Sequence, residues 1–86
     1  MNHPPFNPDK PFTVVYFERD GSFVFEHYVT KSEQTDRAIE LACFARKFVF
    51  ALKPNEQCYE DNINRVMIAL KMIYEQTRDG RSKEFV

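Results

Sequence analysis

The stretch 12-FTVVYFERDGSFVFEHYVT-30 decides the fold. Asp20-Gly21 separates two runs rich in Phe, Tyr and Val, the strongest short-range signal for a tight β-hairpin. A hairpin with one wet face alternates apolar and polar residues, and this one does so only weakly. In a two-residue turn Arg19 pairs with Ser22, which sets Tyr16 opposite Phe25 and Phe17 opposite Val24. One face then carries Phe12, Val14, Tyr16, Phe23, Phe25 and Val29, and the other Val15, Phe17, Val24 and Tyr28. Both faces are apolar, so both need a cover.

Downstream, the pattern predicts two helices. Thr30 and Glu33 fit a capping box, with Ser32 as an alternative cap. The first helix is expected to run to about Leu52, because Pro54 disfavours helix at Lys53. Its main apolar arc is Ala38, Leu41, Ala42, Ala45, Phe48, Val49 and Leu52, with Phe44 at the edge. A second stripe, Ile39, Cys43 and Phe50, lies roughly 120° away at about 100° per residue. The second helix is expected to begin between Asn55 and Asp61 and to end near Arg78, with Gly80 as a left-handed stop. Its stripe is Tyr59, Ile63, Val66, Met67, Leu70, Ile73 and Tyr74, and Ile68 and Met72 form an i, i+4 pair on the opposite side. Acidic residues early and basic residues late in both helices complement the helix dipole, and they suit an antiparallel α-hairpin without any ligand.

These readings predict an α+β fold of the order ββαα: an N-terminal antiparallel β-hairpin, then two antiparallel α-helices, completed by dimerisation. Residues 1–11 hold four of the five prolines and are expected to form an extended N-terminal arm. That arm is read as a disordered terminus in preference to one tucked onto the body by Phe6. Residues 12–80 form the single domain, and residues 81–86 form a tail that is polar until Phe85-Val86.

Composition narrows the function. An 86-residue chain has a thin core that benefits from a partner. Twelve basic and thirteen acidic residues leave a net charge of -1, no footprint for duplex DNA. Met1–Phe6 lacks the basic and apolar regions of a signal peptide, and no apolar run is long enough to span a membrane, so the cytoplasm is expected. In an α-hairpin Cys43 and Cys58 lie roughly 12 Å apart at about 1.5 Å per residue. A disulfide requires about 7 Å, so both are expected as buried free thiols.

No catalytic, cofactor or metal set is legible. His3 lies in the arm and His27 on the second strand, where a lone histidine is more often structural than a base. Glu18 or Glu26 could partner His27 in acid–base work, but no nucleophile stands at a telling spacing. No CxxC, HxxxH or HxxE motif occurs, and Gly21 and Gly80 make no phosphate loop. The expected function is therefore that of a small non-enzymatic protein-interaction module, homodimeric and binding a protein target, as a regulator or inhibitor of the kind found among bacterial or phage accessory proteins. The expected contact residues are Val15, Phe17, Val24 and Tyr28 on the second sheet face and Ile68 and Met72 on the second helix. The alternative is single-stranded nucleic-acid binding by Tyr16, Phe17, Phe23, Phe25 and Tyr28, since aromatics on a sheet stack on unpaired bases. Arg19, Lys10 and Lys31 are few cations for the phosphates, and Glu18, Asp20 and Glu26 oppose them.

Overall fold

Strand β1 (Phe12–Phe17) is the middle of a three-stranded antiparallel sheet ordered β2-β1-β3, with β2 spanning Phe23–Tyr28 and β3 spanning Val49–Leu52. Helix α1 (Lys31–Ile39) follows β2 and runs into a π-helical turn at Glu40–Phe44. The long helix α2 occupies Glu56–Arg78. The computed structural model describes residues 3–78. The expected Gly80 stop and the tail 81–86 lie outside the described residues.

The hairpin forms one step away from the expected register. Glu18 rather than Arg19 faces Ser22, its N–H donating to the Ser22 carbonyl at 2.9 Å. The Gly21 N–H returns to the Glu18 carbonyl, and Gly21 itself takes a φ of 87°. This is a three-residue loop with a left-handed glycine, the next commonest solution after the two-residue turn. The Asp20 carboxylate supports it by accepting from the backbone N–H and hydroxyl of Ser22. Tyr16 consequently opposes Val24, and Phe17 opposes Phe23. A one-residue slip exchanges the faces of an entire strand. Val14, Tyr16, Val24 and Tyr28 now share one face, while Val15, Phe17, Phe23 and Phe25 share the other.

The predicted first helix is corrected in its second half. It stops at Phe44, and residues 49–52 become β3 on the free edge of β1, with Thr13 opposite Leu52 and Val15 opposite Phe50. The reversal is built by Arg46 at φ 57° and by the Lys47 N–H, which reaches back 2.9 Å to the Leu41 carbonyl. Pairing with β1 satisfies a row of strand groups that a helix would leave open, and local helix propensity yields to it. The start of α1 is as expected: Thr30 accepts from the Glu33 N–H, and the Glu33 carboxylate accepts from the Thr30 N–H.

The antiparallel α-hairpin is also overturned. The two helices lie on opposite faces of the sheet. Tyr59, Ile63, Met67 and Leu70 of α2 pack with Val15 and Leu52, whereas Leu41 packs with Val14 and Tyr16 on the other side. The chain thus covers both apolar faces itself. Cys43 and Cys58 are free, but both are exposed rather than buried. Arg46, Lys47 and Lys53 fall outside helix and have no dipole role.

The N-terminal arm takes the alternative that the sequence reading ranked second. The Phe6 ring meets Tyr59 edge-on at 5.4 Å, and the Tyr59 hydroxyl donates to the Pro4 carbonyl at 2.9 Å. His3 adds a 2.9 Å contact to Glu60. On the opposite side of the sheet, buried Gln34 of α1 uses its amide to donate to the carbonyls of both Thr13 and Leu52 at 2.8 Å. One side chain thereby fastens α1 to two strands. Gln34→Ala is expected to lower stability by about 2 kcal/mol, because two buried hydrogen bonds and their packing disappear. Chemical denaturation of the variant against the parent measures it.

Candidate interaction surface

On the α1 side, the inner face of the sheet carries one carboxylate. Glu26 stands between Tyr16 and Tyr28, and both hydroxyls donate to it, that of Tyr16 at 2.7 Å. Arg37 of α1 completes the set with Nε at 2.8 Å and Nη2 at 3.1 Å, a bidentate pair, and its remaining arm meets Glu40. Charge-assisted, two-pronged contacts of this kind hold both distance and orientation. The guanidinium outweighs burial and draws the Glu26 carboxyl down to about 2. Burial, then the neighbouring carboxylate, pushes Tyr28 up to about 12 and raises Tyr16. All the polar groups are mutually satisfied, so the network is a fastening of α1 to β2.

The hairpin end of the sheet is different. There the β1–β2 turn, the reversal at residues 45–48 and Tyr74 of α2 come together. Phe44 is 80% exposed and Phe48 is 52% exposed, on either side of Arg46. A non-glycine residue at positive φ costs roughly 1–2 kcal/mol, and such residues and π-helical turns concentrate at functional sites. Lys47 braces the reversal, 3.5 Å from Glu18 and 5.7 Å from the centre of the Tyr16 ring. Phe44 borders a depression shared with Tyr16 and Arg37, and Phe48 borders a second groove floored by Phe17 and Tyr74. The two rings of that floor meet edge-to-face at 5.3 Å.

The six residues predicted for contact do not form one surface. Val15 is wholly buried under α2. Phe17 is half-buried on that same face, while Val24 and Tyr28 are half-buried on the α1 face. The hairpin register separates them. Ile68 and Met72 stay together on the outer side of α2, 52% and 57% exposed. Phe44, Arg46 and Phe48 are hidden in the sequence because Phe48 fits the apolar arc of a helix and Phe44 its edge. The run of aromatic and β-branched residues at 48–50, just before Pro54, is the signal that points to a strand and an exposed approach to it.

His27 is held by Thr13, whose hydroxyl lies 3.0 Å from Nδ1. Burial, helped by Lys10, lowers its pKa. Glu26 belongs to the other sheet face, and Glu18 is occupied with Lys47. Among the described residues no cluster of His, Cys, Asp or Glu could hold a metal ion, and no helix is long and apolar enough to cross a membrane. No family model matches this chain, and neither a curated protein nor a solved structure matches it.

The Glu26 network has a pH signature. Its folded pKa of about 2 lies below the ordinary value of 4.5, so its stabilisation is complete above about pH 5 and is lost as pH falls towards 2. The expected loss is about 2 kcal/mol, allowing for partial exposure of the pair. Urea titrations at pH 6 and pH 2.5 measure it, and Glu26→Gln should remove that part of the pH dependence.

Proposed function

We propose that this protein is a small non-enzymatic binding module whose partner is another protein, acting as a regulator or inhibitor through the hairpin end of its sheet. The observation that supports this reading is the exposure of Phe44 and Phe48 beside a backbone reversal held by a left-handed arginine. Leaving a Phe in water forgoes roughly 2 kcal/mol of burial. The domain bears most of that loss at Phe44 and about half of it at Phe48, within five residues, while both faces of its sheet are covered. Large apolar side chains on a rigid reversal are well suited to fill pockets on a partner.

The nucleic-acid alternative draws less support from the fold. Tyr16 is buried, and Phe17, Phe23 and Phe25 are half-buried on one sheet face and Tyr28 on the other, so the five rings do not share one open face on which successive bases could stack. The case for a homodimer changes as well. The apolar surplus of the hairpin is buried within one chain, so self-association would rest on the Ile68/Met72 pair or on strand edges, and a second copy becomes one possible partner among proteins.

Affinity capture from native-host lysate, with and without nuclease, tests the reading. A stoichiometric protein retained after nuclease and reduced at least fivefold by Phe44→Asp is the expected result. Phe44 is exposed, so the variant should keep its fold. Enrichment that vanishes on nuclease treatment would contradict the proposal.

A further inference from the structure

The groove floored by Phe17 and Tyr74 and bordered by Phe48 has a charged rim. Its volume is about 490 Å³. Arg19 from the hairpin turn and Arg46 and Lys47 from the reversal line it, with Glu18 as the one carboxylate. Lys47 is matched to Glu18. Neither Arg19 nor Arg46 has an ion-pair partner among the described residues. Two guanidinium groups from separate loops therefore line a groove with an aromatic floor, and among the described residues neither charge is matched.

We infer that this groove docks a segment of a partner protein that carries an Asp or Glu side chain next to an aromatic or branched apolar residue. The inference rests on the protein-binding reading above and specifies the chemistry of the partner. The apolar side chain lies on the floor of Phe17 and Tyr74. The carboxylate takes the planar, two-pronged pairing that guanidinium groups offer. The positive φ at Arg46 sets the backbone from which one of the two cations projects beside the groove, so the loop that carries it needs little rearrangement on binding.

Charge also selects a protein segment over a nucleic-acid strand. The groove adjoins a second depression through Phe17 and Tyr74, and that one is lined by Asp20, Glu75 and Lys71. A polyanion with a charge at every nucleotide would run against Glu18, Asp20 and Glu75. A single carboxylate within an apolar segment meets the two arginines that have no ion pair among the described residues, and avoids those carboxylates.

The test is panning of a phage-displayed library of random dodecapeptides against the full chain, followed by synthesis of the selected peptide. Selected sequences should share an Asp or Glu within two positions of Phe, Tyr, Trp, Leu or Ile. Binding should weaken at least tenfold in Arg46→Glu and in Arg19→Glu, both at exposed positions, with thermal melts confirming the fold. Replacing the acid of the peptide by Lys should recover binding to Arg46→Glu. Peptides without an acid, affinities within twofold of the parent in both variants, or failure to select any peptide would overturn the inference. So would stronger binding of a dodecathymidine oligonucleotide that both variants weaken, and that result would also count against the protein reading. Peptide binding that ignores both arginines but is lost in Ile68→Asp would overturn the groove alone and leave a protein-binding module on the other side of α2.

Discussion

Four consecutive residues of β1, Thr13 to Tyr16, are no more than 5% exposed. Alternate side chains of a strand point to opposite faces, so burial without a break requires a layer on each side. Burial of the backbone as well requires a neighbouring strand on each edge. The remaining architecture answers these demands. α2 covers the Val15 face, α1 and the π-helical turn cover the Val14 face, β2 occupies one edge and β3 the other. Few elements remain in so short a chain, which is why the N-terminal arm is also enlisted, with Phe6 and Pro4 engaging Tyr59 at the start of α2.

The two covers are fastened differently. α2 is held by apolar packing along Tyr59, Ile63, Met67 and Leu70, reinforced by the Phe17–Tyr74 contact at its far end. α1 is short and has no buried apolar residue of its own, Leu41 coming from the π-helical turn that follows it, so polar groups do much of its fastening. Gln34 bonds two strands at once, and Arg37 grips Glu26 while two tyrosine hydroxyls complete the carboxylate. Removing one partner of such a set leaves a desolvated group behind, so the set is more effective at specifying where α1 sits than at adding net stability.

Much of this was legible in the sequence, and the failures have physical causes. The hairpin, the Thr30–Glu33 capping box and the buried stripe of α2 follow from local chemistry and from one unambiguous period. The need to cover both hairpin faces was also legible, but the means was not. Residues 38–52 satisfy a helical period well, and what overrides it is non-local, the open edge of β1. The tripeptide Phe-Val-Phe occurs at 23–25 and again at 48–50, and it is strand or strand approach in both places. The register error arose because Asp-Gly serves two turn geometries, and only the bonds of Glu18 with Ser22 and Gly21 distinguish them. That one step redistributed the predicted contact residues between two buried faces. The exposed end of the molecule became visible only once Phe44 and Phe48 left the helical arc.

The proposed interaction surface depends on the same topology, since the reversal at residues 45–48 exists only because β3 turns back to pair with β1. The most direct measurement is solution NMR on the uniformly labelled chain at a concentration where it sediments as a monomer. Strand-type chemical shifts over residues 49–52, cross-strand contacts between Thr13 and Leu52 and between Val15 and Phe50, and slow amide exchange across β1 are the predicted result. Continuous helical shifts from Lys31 to Leu52 would contradict the three-stranded sheet, and with it the exposed reversal on which the functional account stands.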